Sequence, residues 1–226
     1  MVNQLVIAAG GNGDRLGLGS KPLINYLGHP LIHYVISFAL ESGFKEFYIS
    51  VNKDNKEGIK TIAENIGIEY VLHEKAPGFR GTPLLFEEYL DTKFGFIAGH
   101  HVIPTYHYSL LQKAAKDKEV IFTVYNNKKY FAPIKDLILL NDDELMPSKE
   151  PIPENFSFID HPYILTKQLM LDLRKENFKK SINQMILGIN CKEKIKAINA
   201  IMPPEFDYKN EWEIFKQYLY DYLVPY

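Results

Sequence analysis

The stretch AAGGNGDRLG, residues 8–17, decides how this chain is interpreted. It follows a short apolar run from Gln4 to Ala9 that is typical of a buried β-strand. Its glycines require the chain to leave that strand in a loop. Backbone N–H groups in such a loop can approach a phosphate chain closely, because glycine has no side chain in the way. The stretch therefore predicts a strand that opens onto a phosphate-binding loop.

Two cations accompany the loop. Arg15 lies within it, and its forked guanidinium can grip phosphate oxygens. Lys21, in the KPL sequence of residues 21–23, adds a point charge nearby. The chemistry implied is the binding or cleavage of a nucleoside diphosphate or triphosphate. Asp14 would repel those phosphates unless it points away or helps to hold a cation.

Two common glycine motifs do not fit. The dinucleotide-binding fingerprint counted from Gly11 needs a sixth-position glycine where this chain has Leu16, and it needs an acidic residue where this chain has Asn52. The phosphate loop of the common NTPases needs Gly-Lys followed by Ser or Thr, whereas Lys21 follows Ser20 and precedes proline. Neither of these binding modes is expected.

Strand and helix patterns alternate along most of the chain, which predicts βαβ units around a mostly parallel sheet. The fold class expected is a three-layer α/β/α sandwich. We expect residues 1–226 to form one domain, with an elaborated insertion around residues 130–162. Helices are predicted at 30–42, 56–66, 82–90, 106–116, 166–175, 181–189 and 210–223. Strands are predicted at 4–9, 46–51, 69–72, 94–98, 120–125 and 195–200, with one or two more within 132–140 and a polar loop at 141–155.

The composition and net charge of the chain exclude several classes of function. The chain has 226 residues and a formal net charge of −2, so it has no strong global field to hold a nucleic acid. Its one cysteine, Cys191, cannot form an internal disulfide, which fits a reducing compartment. No stretch approaches the roughly 20 apolar residues of a membrane span. The expectation is a cytoplasmic protein that binds neither nucleic acid nor membrane.

The glycine stretch together with KPL at residues 21–23 resembles the signature of the nucleotidyltransferases that share the glycosyltransferase-A-like fold. These include sugar-phosphate nucleotidylyltransferases and the guanylyltransferases of molybdenum-cofactor metabolism. The resemblance implies a nucleoside triphosphate and a phosphorylated small molecule as partners, and a divalent metal, Mg²⁺ or Mn²⁺, as cofactor. It assigns phosphate chemistry to Arg15 and Lys21. It assigns nucleotide binding to the loop residues Ala9, Gly10, Gly11, Asn12 and Gly13.

A second segment, GFRGTP at residues 78–83, resembles the Gly-Thr segment with which this family contacts the base. The resemblance makes Arg80, Gly81 and Thr82 nucleotide-binding candidates. The alternative is a capped helix start with Thr82 as the cap or first residue.

The family's metal-binding aspartate is missing. Where it should follow the fourth strand, this chain has GHH at residues 99–101, with His100 at the aspartate position. Magnesium prefers oxygen ligands and rarely takes imidazole. Three interpretations stay open: His100 or His101 with a softer metal such as manganese or zinc, magnesium held by the triphosphate and other carboxylates, or a nucleotide pocket without catalysis. The histidines can also be plain loop residues.

Asp207 is the candidate for a second metal ligand, because the segment at 205–212 resembles the family's closing segment. The alternative makes Asp207 an ordinary residue ahead of a helix capped by Asn210. Asp160 is a further carboxylate that can face the cleft.

The function expected is nucleotidyl transfer from a nucleoside triphosphate to a phosphorylated acceptor such as a sugar phosphate, with release of pyrophosphate. The alternative is a catalytically silent nucleotide-binding or nucleotide-sugar-binding subunit. A glycosyltransferase would need an Asp-x-Asp metal motif near the fourth strand, and residues 99–101 do not supply it.

Overall fold

The computed structural model describes residues 2–11, 13, 16–74, 78–126, 138–141, 144–147, 157–180, 182–187, 189, 194–200 and 209–223. Eleven strands are present in these ranges: β1 (Gln4–Ala8), β2 (Asn25–Tyr26), β3 (His29–Pro30), β4 (Glu46–Val51), β5 (Glu69–Glu74), β6 (Lys93–Ala98), β7 (Val120–Asn126), β8 (Ile138–Asn141), β9 (Glu144–Pro147), β10 (Ser157–Thr166) and β11 (Ile195–Ala200). Six α-helices accompany them: α1 (Leu31–Glu41), α2 (Lys56–Ile66), α3 (Thr105–Ala114), α4 (Lys167–Lys175), α5 (Ile182–Leu187) and α6 (Lys209–Leu223). Two 3₁₀ helices cover Lys21–Leu23 and Phe79–Phe86.

A seven-stranded sheet organises the molecule, in the order β11-β7-β10-β6-β1-β4-β5. Strand β1 pairs in parallel with β4 on one side and with β6 on the other. Strand β10 is antiparallel to both of its neighbours, and the other strands all run in one direction. The expected mixed α/β fold with a mostly parallel central sheet is confirmed.

The two faces of the sheet carry separate hydrophobic cores, because successive strand residues point to opposite faces. Leu5 and Ile7 of β1 belong to the core that contains residues of α1, α2, α3 and α6. Val6, between them, belongs to the core that contains residues of α4, α5 and the Phe79–Phe86 helix. All three side chains are almost completely buried. This alternation is the physical basis of the three layers.

Strand β10 was not predicted. The sequence analysis assigned residues 130–162 to an insertion, but the chain from Ser157 onward lies in the central sheet between β6 and β7. Its register with β7 is irregular between Asp160 and Ile164, where the strand contains a cis His161–Pro162 peptide. Proline and a bulge within a strand obscure the alternation that marks strands in a sequence. The other predicted strands are present, with ends shifted by at most two residues.

Two further expectations were wrong. The helix predicted at 82–90 is the 3₁₀ helix Phe79–Phe86, which contains Pro83; proline has no N–H for an α-helical hydrogen bond. The polar loop predicted at 141–155 includes β9, which pairs with β8 in a two-stranded antiparallel sheet. In this sheet Leu139 is paired with Met146 and Leu140 with Leu145. Residues 132–137 lie outside the described part of the chain.

None of the helices in the described ranges is long and apolar enough to cross a membrane.

His107 is a buried residue of α3, and its side chain connects this helix to the central sheet. Its Nε2 lies 3.0 Å from the Oγ1 of Thr123, and that hydroxyl donates to the carbonyl of Pro162 at 2.8 Å. Because the threonine hydrogen is engaged, Nε2 must be the donor. Burial lowers the pKa of His107 from 6.5 to about 4.

This pKa predicts a loss of stability in mild acid. Below pH 6.5 the unfolded chain binds a proton at His107 that the folded chain does not bind until about pH 4, so the free energy of unfolding falls as the pH falls. Between pH 7.5 and pH 5 this contribution is about 2 kcal/mol. His107→Gln keeps a donor near Thr123 but does not titrate. Urea denaturation at both pH values should show a drop about 2 kcal/mol smaller for this variant. Equal drops in the two proteins would contradict the assignment.

Candidate functional site

The glycine loop begins at the carboxyl edge of the sheet, between two neighbouring strands. The N–H of Ala9 donates to the carbonyl of Ser50 at the end of β4, at 3.0 Å. On the other side, the N–H of Gly99 donates to the carbonyl of Ala8 at 2.9 Å. A Cβ on Gly99 would lie 3.0 Å from that of Ala9, so the strand ends are closely packed there. Open α/β sheets bind ligands at this edge.

Gly13 is in a conformation that other residues rarely adopt. Its φ is +70°, and a Cβ built on it would lie 2.3 Å from the carbonyl oxygen of Gly19. The loop therefore folds back on itself at this point. The carbonyl of Gly13 also accepts a hydrogen bond of 3.1 Å from the N–H of Leu16. Glycine is therefore required at position 13, because a larger residue would collide with the backbone of the same loop.

Lys21 begins the first 3₁₀ helix, directly after the loop. Ser20 precedes this helix, and its carbonyl accepts from the N–H of Leu23 at 2.9 Å. Pro22 is buried, whereas Lys21 is half-buried. The turn thus places a cation at the end of the loop, as the sequence predicted.

Two asparagines that were not among the candidates from the sequence make hydrogen bonds to the glycine loop. Asn55 donates through Nδ2 to the carbonyl of Ala9 at 2.7 Å and to the hydroxyl of Ser20 at 2.8 Å. Asn52 donates through Nδ2 to the carbonyls of Gly10 and Gly11, at 3.4 and 3.3 Å. The signal in the sequence is the Asn-x-x-Asn spacing directly after β4. We call these two residues the asparagine pair.

Four predicted site residues fall outside the described part of the chain: Asn12, Asp14, Arg15 and Asp207. Their assigned roles stay predictions.

The segment predicted to read the base lies in and before the second 3₁₀ helix. Thr82 is buried, and its hydroxyl donates to the carbonyl of Gly78 at 3.1 Å, within its own turn. Gly81 is also buried. Arg80 is half-buried and donates through Nη1 to the carbonyl of Phe178 at 3.4 Å. Base contact by these residues stays a prediction.

Phe79 connects this segment with the strands at the centre of the sheet. Its ring stacks on Phe96 of β6, with ring centroids 4.4 Å apart. It also contacts the ring of His161 in β10, with a centroid distance of 5.1 Å. The second 3₁₀ helix therefore begins close to the carboxyl end of β6.

The histidines after β6 have different surroundings. His100 is half-buried in the turn, whereas His101 is buried and faces β10. The Nδ1 atoms of His101 and His161 are 2.5 Å apart, so one of them must donate to the other. Burial lowers the pKa of His161 from 6.5 to about 3, which keeps its imidazole neutral near pH 7.

Asp160 lies beside this histidine pair at the same edge of the sheet. Its Oδ1 accepts from the N–H of His161 at 2.7 Å and lies 3.5 Å from the hydroxyl oxygen of Tyr163. The Tyr163 hydroxyl also lies 2.8 Å from the Oδ1 of Asn183. The expected carboxylate is thus present near His101, but it is bonded to its own strand.

The metal predicted from the family resemblance has no site among the described residues. No three His, Cys, Asp or Glu side chains in those ranges come together in a way that could hold an ion. His100 would supply nitrogen, which magnesium rarely accepts. The described donors do not fit a magnesium centre by themselves.

Comparison with known proteins agrees with this geometry. Residues 5–186 match the family model described as the MobA-like NTP transferase domain. The chain belongs to this family. Its members are nucleotidyltransferases, so the chain is a nucleotidyltransferase. No curated protein matches this sequence.

Solved structures of nucleotidyltransferases share the fold over nearly the whole chain. The inositol-1-phosphate CTP transferase from T. maritima has a TM-score of 0.75 and 18% identity, covering 99% of this chain and 98% of its own. A putative glucose-1-phosphate thymidylyltransferase from Bacillus anthracis has a TM-score of 0.78 and 11% identity, covering 99% and 96%. A 4-diphosphocytidyl-2C-methyl-D-erythritol synthase from Anaerococcus prevotii has a TM-score of 0.71 and 15% identity, covering 96% and 95%.

The close approach at Gly13 gives a matched pair of variants. Gly13→Ala and Gly17→Ala both place alanine at positive φ, +70° and +68°, but only position 13 lacks room for a Cβ. We expect Gly17→Ala to cost about 1 kcal/mol of stability, from the left-handed conformation alone. Gly13→Ala should cost about 2 kcal/mol more, because the backbone must also move. Urea denaturation measures both values, and equal losses would contradict the described loop.

Proposed function

We propose that this enzyme transfers a nucleoside monophosphate from a nucleoside triphosphate to a phosphorylated small molecule, a sugar phosphate or a similar compound. One observation carries the proposal: a glycine loop ends β1 at the carboxyl edge of the sheet and leads into Lys21, in a chain of the NTP transferase family. The loop supplies backbone donors and the lysine supplies charge, which is the combination that a triphosphate requires.

In the proposed reaction, a phosphate oxygen of the acceptor attacks the α-phosphorus of the triphosphate. The bond between the α-phosphorus and the oxygen that bridges to the β-phosphate breaks, and pyrophosphate leaves with the bonding electrons. The product is a diphosphate diester that joins the nucleoside to the acceptor. No side chain forms a covalent bond, so catalysis consists of positioning and charge stabilisation.

The residue roles in this proposal are those that the family resemblance implies. Gly10, Gly11 and Gly13, with Ala9 and Asn12, surround the phosphates. Lys21 and Arg15 stabilise the charge that develops on the α-phosphate and the leaving pyrophosphate. The base is contacted by the segment of Arg80, Gly81 and Thr82. Asp207 is the candidate ligand of a divalent ion, Mg²⁺ or Mn²⁺, and His100 is a second candidate for Mn²⁺; such an ion would neutralise phosphate charge when bound.

The acceptor class is proposed from the structural neighbours. Two of them are named for inositol-1-phosphate and glucose-1-phosphate, and both names describe a phosphate on a polyhydroxylated ring. The nucleotide base is left open, since these neighbours use different ones.

Replacing Lys21 tests the proposed chemistry. Lys21→Ala should lower pyrophosphate release by about 100-fold, because the variant lacks a charge aimed at the reacting phosphates. Lys60→Ala is the control, since Lys60 is exposed on α2 and pairs only weakly with Glu64, at 4.0 Å. Release is measured with each nucleoside triphosphate against a panel of sugar and polyol phosphates. Equal rates for Lys21→Ala and the wild type would refute the role of Lys21.

Melting temperatures identify the preferred nucleotide base and show whether binding requires a divalent ion. They are measured with CTP, GTP, UTP, ATP and dTTP, each in EDTA, Mg²⁺ or Mn²⁺. Binding to the folded state alone raises the melting temperature, so one base should give the largest shift. We expect that shift to need a divalent ion. An equal shift in EDTA, without pyrophosphate release from any acceptor, would favour the silent nucleotide-binding subunit. The absence of a shift with every nucleotide would contradict both functions.

A further inference from the structure

The asparagine pair is locked in one orientation. The N–H of Asn52 donates to the Oδ1 of Asn55, and the N–H of Asn55 donates to the Oδ1 of Asn52, both at 2.9 Å. The side-chain nitrogen of an amide cannot accept from a backbone N–H, so each amide has its oxygen turned toward the main chain of the other asparagine. Each side-chain nitrogen must therefore face the glycine loop. The reciprocal bonds determine which way the donors point.

These contacts are different from an ordinary helix cap. Asn55 stands at the N-cap position of α2, but its side chain makes no capping hydrogen bond to the helix. It is fully buried, and its two amide hydrogens go to the carbonyl of Ala9 and the hydroxyl of Ser20. The side chain thus donates its hydrogen bonds to the glycine loop, which lies more than 30 residues earlier in the chain.

The asparagine contacts orient the loop's N–H groups. A trans peptide unit is planar, and its carbonyl points opposite to the N–H of the next residue. The carbonyls of Ala9 and Gly10 both point at the asparagine pair. The N–H groups of Gly10 and Gly11 consequently point away from α2. Those are the two donors that the proposed function directs at phosphate.

The same pair also ties the loop to Lys21. The Nδ2 of Asn55 contacts Ala9 at the start of the loop and Ser20 at its end. Ser20 is followed directly by Lys21 and anchors its 3₁₀ turn through the bond from Leu23. One buried side chain therefore determines the distance between the loop's donors and the lysine that follows it.

We propose that Asn52 and Asn55 are positioning residues that hold the Gly10 and Gly11 N–H groups and Lys21 ready for the triphosphate before it binds. This inference rests on the proposed function, since it names how that phosphate site is organised in advance. Preorganised donors need no rearrangement when the anion arrives, so losing them weakens phosphate binding as well as stability.

Three alanine variants separate an effect on the position of the glycine loop from an effect on stability: Asn55→Ala, Asn52→Ala and Gln112→Ala. Gln112 is a matched control, because it is also buried and makes two hydrogen bonds to the main chain of Val2, at 2.6 and 2.9 Å, ahead of β1 at the opposite edge of the sheet. All three variants should melt at lower temperature than the wild type. Asn52→Ala loses longer bonds and is the variant to use if Asn55→Ala does not fold.

Isothermal titration with inorganic tripolyphosphate measures the site without a base. We expect dissociation constants to rise by about tenfold for Asn55→Ala and about threefold for Asn52→Ala, and to stay within about twofold for Gln112→Ala. In the free protein, the heteronuclear ¹⁵N NOE of the Gly10 and Gly11 amides should fall in both asparagine variants but not in Gln112→Ala.

Unchanged tripolyphosphate affinity and unchanged glycine NOE values in the asparagine variants would overturn the positioning role. Equal weakening in Gln112→Ala would also overturn it, since stability alone would then explain the loss. If the wild type binds neither tripolyphosphate nor any nucleoside triphosphate, the proposed function fails. The NOE values then still decide whether the asparagine pair orders the loop.

Discussion

The position of β1 between two parallel neighbours is the constraint on which the site depends. Hydrogen bonds to β4 and β6 continue one residue beyond the strand, through Ala9 and Gly99. Three strand ends are therefore brought to one edge of the sheet, and each opens into a different segment of the candidate site. These segments are the glycine loop, the turn that carries the asparagine pair and the turn that carries the histidines.

Each of these segments is fixed by a different kind of interaction. The glycine loop depends on a steric condition, because Gly13 lies against the carbonyl of Gly19. The asparagine turn depends on reciprocal hydrogen bonds within a buried environment. The histidine turn depends on the contact between His101 and His161, which joins β6 to β10.

Local sequence patterns were sufficient for most of the fold and for part of the site. The apolar run before the glycines predicted β1, and glycine density predicted the loop that follows it. The asparagine pair was missed because its bonds reach Ala9 and Ser20, which are distant in sequence, and no local pattern records such partners. Strand β10 was missed because Pro162 and the bulge interrupt its alternation. The family resemblance places His100 where an aspartate is expected, and this assignment stays a prediction.

The central claim is that the glycine loop receives the phosphates of a nucleoside triphosphate. Titration of ¹⁵N-labelled protein with the nucleotide that gives the largest melting shift tests it most directly. The amide signals of Gly10, Gly11 and Gly13 should move with a common saturation curve. Those of Gly43 and Gly67, which precede β4 and β5 at the opposite edge, should not move. Saturating binding that leaves the three loop signals unmoved would contradict the account.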